Sequence, residues 1–129
     1  MARPTSKHPT ELELEILKIL WRDGPASVRQ VRDALVGFRD LAYTSVMTVM
    51  TIMTKKGYLR RSKVEGGYVY RSRISEQVTT RRMLRDLVER VFGGSASAVM
   101  LNLLKTQDLD ANELKRIREL IDKAEEQSR

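Results

Sequence analysis

The sequence predicts a mainly α protein with a small β-hairpin: an N-terminal winged helix-turn-helix over residues 1–74, followed by a C-terminal helical dimerisation domain over residues 75–129. Three observations predict it. Two capped segments with apolar residues at helical spacing lie close together before Gly37. A third helical segment runs into two short, arginine-rich strands around Glu65-Gly66-Gly67. From Ser75 onward the pattern is helical again, with apolar stripes that three short helices cannot bury alone.

Each element has its own signal. Thr10-Glu11-Leu12-Glu13 has the form of a capping box: the threonine oxygen takes a backbone N–H and the glutamate reaches back. Leu12, Ile16, Ile19 and Leu20 then recur at helical spacing, and Gly24-Pro25 stops the helix. Ser27-Val28-Arg29-Gln30 is a second capping box, and Val28, Val31 and Leu35 form the buried stripe of a shorter helix ending near Gly37.

The third segment, YTSVMTVMTIMTKKGYL from Tyr43 to Leu59, is built from residues that favour strands. Strict alternation fails in it, because Val46 and Met47 are adjacent, as are Val49 and Met50. At about 100° per residue the pattern resolves into a helix from about Ala42 to Lys56. Val46, Val49, Met50 and Met53 share one arc. Thr44, Thr48, Thr51 and Lys55 fall opposite, flanked by Ser45, Met47, Ile52 and Thr54. The exposed arc thus carries hydroxyls where a solvated helix carries Glu, Lys and Gln. Threonine costs roughly 0.5 kcal/mol more than alanine in a helix, so a solvent-facing reason for four of them is weak. Short hydroxyls that allow close approach and bond to bases or phosphates give a better one.

After Lys55-Lys56-Gly57, Tyr58 to Val64 and Tyr68 to Ile74 read as two strands joined at Glu65-Gly66-Gly67. They carry Arg60, Arg61, Lys63, Arg71 and Arg73. Past Ser75, Leu84, Leu87, Val88 and Val91 mark a fourth helix, broken at Gly93-Gly94-Ser95. Val99, Met100, Leu103 and Leu104 mark a fifth. Asp110-Ala111-Asn112-Glu113 is a third capping box, opening a helix to about Gln127 with Leu114, Ile117, Ile121 and Ala124 at heptad-like spacing. These faces have to pack on the first domain or on a second copy of the chain.

Charge is unevenly placed. Residues 1–74 hold 14 Lys and Arg against 7 Asp and Glu, which is the whole net charge of +7; residues 75–129 hold 10 of each. Residues 39–74 alone hold 8 basic against 2 acidic side chains. A localised basic block points to a polyanionic partner, nucleic acid first.

Catalysis has no constellation to stand on. The chain has no cysteine, so thiolate nucleophiles and cysteine-ligated metals are excluded. His8, its one histidine, is expected in a solvated tail. Glu11, Glu13 and Glu15 are expected as solvated carboxylates on a helix surface. No Gly-rich phosphate loop is present. No enzyme activity, cofactor or metal is expected. No apolar run approaches ~20 residues and the N-terminus lacks an apolar signal core, so no membrane insertion is expected and a cytoplasmic location is.

Three segments carry a resemblance: TELELEILKILWRDGPASVRQVRDAL, LAYTSVMTVMTIMTKKGYLRR and VFGGSASAVMLNLLKTQDLDANELKRIREL. In their order, from about Glu11 to Ala124, the chain resembles the penicillinase-repressor (BlaI/MecI/CopY) family. The resemblance implies a dimeric winged-helix repressor on an inverted-repeat operator, at β-lactam-resistance or copper genes. In the β-lactam branch, repression is relieved by proteolysis in the dimerisation domain, downstream of a membrane sensor metalloprotease. The copper branch senses metal through C-terminal cysteines, which this chain lacks. The bond commonly cleaved in the β-lactam branch joins asparagine to phenylalanine; the matching pair here is Asn102-Leu103. Some relatives carry Lys or Arg where this chain has Thr44 and Met47.

Two functional readings follow. In the first, the third helix enters the major groove of double-stranded DNA. Thr44, Ser45, Met47, Thr48, Thr51 and Lys55 face bases and nearby phosphates, with Met47 able to lie against a thymine methyl. Arg60, Arg61 and Lys63 hold phosphates from the wing. Val99, Met100, Leu103, Leu104, Leu114, Ile117 and Ile121 form a homodimer contact. In the second reading the winged helix is a protein-interaction module that does not use DNA, since fold alone does not decide. The basic block and the hydroxyl arc favour the first.

Overall fold

Among residues 7–128, which the computed structural model describes, six helices and one antiparallel hairpin follow one another. The order is α1 (Glu11–Asp23), α2 (Val28–Ala34), α3 (Tyr43–Lys55), β1 (Leu59–Val64), β2 (Gly67–Ser72), α4 (Glu76–Phe92), α5 (Ala96–Thr106) and α6 (Ala111–Gln127). This is a winged helix at the N-terminus and a helical segment at the C-terminus. Among the described residues no single helix is long and apolar enough to cross a membrane. The chain divides into two compact units, Met1–Met83 and Leu84–Arg129. The composition changes at Ser75, one residue before α4 begins; the first unit also takes in the first two turns of α4.

The first unit is built around one core. Ile16, Leu17, Ile19 and Leu20 of α1 meet Val28 and Val31 of α2, Leu35, and Val46, Met50 and Met53 of α3; Leu59 and Tyr70 close it from the hairpin. The helix ends follow their sequence signals. Thr10 accepts from Glu13 N at 3.2 Å while Glu13 Oε1 accepts from Thr10 N at 2.9 Å. Ser27 and Gln30 repeat that exchange at 3.2 and 2.8 Å. Helix α3 ends at Lys55 with Lys56 as its C-cap, within one residue of the expected end, and Gly57 turns the chain with φ 85°, a conformation open to glycine.

The hairpin is shorter than the sequence suggests. Strands at Leu59–Val64 and Gly67–Ser72 pair in register from Leu59 opposite Ser72 to Val64 opposite Gly67, so only Glu65-Gly66 turns. Gly67 belongs to the ladder, and Tyr58 and Ile74 lie outside it. The α1–α2 connection adds a third strand of one residue: Ala26 and Tyr70 exchange both backbone bonds, at 3.0 and 2.8 Å. The Trp21 indole N–H, at the end of α1, reaches both Ser72 Oγ and the Ile74 carbonyl at 3.0 Å. These two ties fix the base of the wing to the helical layer.

Two expectations need correction. Glu13 is not a solvated carboxylate: only 3% of it is exposed, and both its oxygens accept from Lys56 Nζ, at 3.2 and 3.0 Å. A buried carboxylate needs such a partner, since its lone pairs have lost water. His8 is not solvated either; it is half-buried in the wall of a cavity beside Tyr58, Ile74 and Thr79.

The second unit has no comparable core. No residue of α5 or α6 is fully buried. Ser95 caps α5 through Ala98 N, and Asp110 caps α6 through Glu113 N at 2.8 Å. Thr10 and Ser27 complete the expected capping box with the return bond, whereas Asp110 makes only the forward one, so the third box expected from the sequence is half formed.

Removing the Glu13 charge tests the tie between α1 and the end of α3. Glu13→Gln keeps a capping side chain and loses the ion pair; Glu13→Ala loses both. Chemical denaturation at one fixed protein concentration should show Glu13→Ala destabilised by roughly 2–4 kcal/mol and Glu13→Gln by about half of that. Equal stability of Glu13→Ala and the parent would make the pair incidental.

Candidate nucleic-acid interface

Helix α3 presents two unlike faces. Val46, Met50 and Met53 have no exposed surface, and Val49 is half-buried against the same core. Thr44, Ser45, Met47, Thr48, Thr51 and Lys55 are all exposed, so the structure places every candidate of this helix on the open arc. Ile52 joins them, 43% exposed. Lys56 does not, because Glu13 holds it.

The hydroxyls are arranged in a particular way. Thr48 Oγ1 donates to the Thr44 carbonyl at 2.9 Å, Thr51 Oγ1 to the Met47 carbonyl at 2.8 Å, and Thr54 Oγ1 to the Met50 carbonyl at 2.8 Å. Each hydroxyl hydrogen is taken up by its own helix, which is how threonine fits there. What Thr48 and Thr51 offer outward is a methyl group and oxygen lone pairs. Phosphate oxygens only accept, so in this conformation these two residues suit base edges better than backbone. Exocyclic amino groups of adenine and cytosine, and thymine methyls, are their complements.

The N-terminus of α3 is equally bare. Side-chain caps close α1, α2, α5 and α6, but Ala42 at the head of α3 provides none, and its first turn has no acidic residue. The Ser45 N–H turns back to the Ala42 carbonyl at 3.1 Å, which leaves the N–H groups of Tyr43 and Thr44 for an anion.

A cleft of about 510 Å³ runs from this end of α3 to the wing. Tyr43 and Met47 line it from α3, Arg29 and Arg32 from α2, and Tyr68 and Tyr70 from β2. Of these, only Met47 was legible as a site residue. The signal for Arg29 was present, a basic side chain near the start of a helix-turn-helix's first crossing helix, but it lies outside the basic block of residues 39–74. Arg32 is tied to Asp33 at 3.1 Å.

The wing does not bring its three expected anchors together. Strand residues alternate between faces. Leu59, Arg61 and Lys63 share a face with Ser72, Tyr70 and Tyr68, their respective partners in register; Leu59 and Tyr70 are buried at its base. The Arg61 guanidinium carbon lies 4.2 Å from the centre of the Tyr68 ring, a cation–π contact within the ribbon. Arg60 is on the other face, directly opposite Arg71. Arg73, whose N–H donates to the Tyr58 carbonyl at 2.8 Å, continues that second row. Among the described residues none of these arginines has a carboxylate in ion-pair range. The wing thus has two basic faces, and the face with Arg61 and Lys63 is the one that contributes Tyr68 and Tyr70 to the cleft.

The family model described as penicillinase repressor matches residues 9–123. The chain is similar to the methicillin resistance regulatory protein MecI of Mammaliicoccus sciuri, 24% identical over 111 residues, covering 86% of this chain and 90% of that protein. It is similar to the penicillinase repressor of Staphylococcus aureus, 22% identical over 109 residues, 84% of this chain and 86% of that one. The transcriptional regulator BlaI of Mycobacterium tuberculosis (strain CDC 1551 / Oshkosh) is 31% identical over 102 residues, 78% and 74% of the two chains.

The two-faced wing gives a sharp test on duplex DNA. Lys63→Ala should shrink the slope of log affinity against log salt by about one unit, as loss of one phosphate contact does. Arg60→Ala, on the other face, should leave the slope unchanged. The reverse order would turn the ribbon over.

Proposed function

Because this chain belongs to the penicillinase-repressor family, which makes it a DNA-binding transcriptional repressor and not an enzyme, we propose that two copies of it clamp one inverted-repeat operator. In this reading the open arc of α3 reads bases in the major groove, and the face of the wing with Arg61 and Lys63 holds phosphates. The observation that carries it is the pairing of a fully buried face, Val46, Met50 and Met53, with an open face whose six candidate residues are all exposed. That arc contains no glutamate or aspartate to repel a phosphate backbone.

Dimerisation rests on the second unit. Leu103, Leu104 and Ile121 are exposed and Val99, Met100, Leu114 and Ile117 only half-buried. Leu101 and Leu120, at 52% and 55% exposure, widen the apolar surface. Contiguous surface of this kind is rare on a free monomer and marks an interface. A second copy of the same unit is its natural cover, because a homodimer gives the operator two half-sites related by a dyad.

Relief by proteolysis is the finer part of the proposal. Asn102 and Leu103 are exposed, but they lie inside α5, and the Asn102 amide donates to the Ala98 carbonyl at 2.9 Å. A protease that takes extended chain has to unwind α5 first. A helix with no fully buried residue opens at small free-energy cost. The inducing machinery would then be a membrane sensor metalloprotease or a protease downstream of it, and the target genes of the β-lactam-resistance type named in the relatives.

Two measurements test these claims on an operator selected from random duplex DNA. The full chain should bind about 10²–10⁴ times more tightly than residues 1–83 alone at one salt concentration, because tethering makes the second half-site contact intramolecular. Equal affinities would remove dimerisation as the regulatory lever. Thr48→Ala should leave thermal stability unchanged or slightly raised, and should lower operator affinity by roughly 1–3 kcal/mol. Unchanged binding across a panel of operator variants would mean that Thr48 reads nothing.

A further inference from the structure

A cavity of about 270 Å³ opens at the base of the wing, in the first unit and away from the cleft. Tyr43 and Met47 line the cleft at the head of α3, whereas Tyr58 enters this cavity three residues beyond the end of that 13-residue helix. A helix of that length is about 20 Å long, so the two openings are separate.

Its chemistry is lopsided. Lys7, Arg73 and Arg82 bring positive charges to its wall beside the His8 ring, and among the described residues no carboxylate lines it. Among the described residues Lys7, Arg73 and Arg82 form no ion pair. Pro9, Tyr58, Ile74 and Val78 supply its apolar wall, and Ser75 and Thr79 add two hydroxyls; Tyr58 and Ile74 are half-buried against the core. Lys7, Arg73 and Arg82 are cations without a counter-charge; they repel one another, and an anion placed among them is drawn in by the same field. A mostly apolar concavity with a few convergent polar groups is the ordinary form of a small-ligand site. The volume lies just below the ~300 Å³ at which such sites usually begin, which fits a fragment-sized molecule and excludes a nucleotide.

We propose that this cavity binds a small amphiphilic carboxylate, its apolar body against Tyr58, Ile74 and Val78 and its charge between Arg73 and Arg82. The site touches none of the α3 residues assigned to bases. It lies where the last residues of the wing lead into the first turns of α4, so a ligand there bears on the segment that carries Arg73. The proposal does not depend on the operator or on the dimer.

The test uses the full chain, labelled with ¹⁵N, titrated with benzoate, with acetate and with inorganic phosphate. Benzoate should shift the amides of residues 7, 8, 58 and 73–82 and saturate; acetate and phosphate at the same concentration should give less than a third of that shift. Val78→Phe, which fills the cavity from a side chain already 45% exposed, and Arg82→Ala, which removes one anchor, should each weaken benzoate binding at least tenfold with the melting temperature unchanged. Equal shifts from phosphate would reduce the site to a cationic surface and overturn the proposal. Benzoate shifts that fall elsewhere, fail to saturate, or persist in both variants would overturn it as well.

Discussion

Helix α3 is held on one side and left bare on the other, and both the wing and the open arc take their positions from that arrangement. Val46, Met50 and Met53 are sealed in the core, and Lys56, just past the helix, is tied to Glu13 at 3.0 Å. Four threonines in this helix cost about 2 kcal/mol against alanine. Burying three apolar side chains contributes roughly 1.5–3 kcal/mol each, so packing outweighs propensity and the segment is a helix. The surplus lets the outer face be chosen for something other than helix formation. Lys56 shows the same division at the level of charge. Its neighbour Lys55 stays in solvent, while Lys56 is consumed inside the fold.

The outer surface divides its tasks by side-chain chemistry. The arc of α3 has methyls and oxygen lone pairs and, apart from Lys55, no cation. Cations sit around it, on α2 and on the two faces of the wing. Phosphate contacts position a protein on a duplex and carry no sequence information, whereas base edges specify. Cations on the flanks and short neutral groups in the centre match that division.

Local features were legible in the sequence and long-range ones were not. The capping pairs Thr10–Glu13 and Ser27–Gln30 involve residues three apart, and the structure contains both. The helix at Tyr43–Lys55 followed from periodicity against propensity, because the failed alternation is itself local. Glu13 was misread because its partner, Lys56, is 43 residues away. The wing arginines were read as one cluster because faces depend on register. Register is set by whether Gly67 turns or pairs, and it pairs with Val64. His8 and the Ala26–Tyr70 bridge depend in the same way on segments that meet only after folding. Of the interface, the α3 arc was visible in advance; Arg29, Tyr43 and Tyr68 gained meaning only when the cleft placed them together.

Buried and bare faces on one short helix make a claim about which atoms meet DNA. Intermolecular nuclear Overhauser effects, measured between methyl-labelled protein and a duplex carrying the selected operator, address it directly. The account predicts contacts from the methyls of Thr44, Met47, Thr48 and Thr51 to base protons of the major groove, thymine C5 methyls among them, and none from Val46 or Val49. Contacts confined to the wing or to the second unit, with the α3 methyls silent, would contradict it.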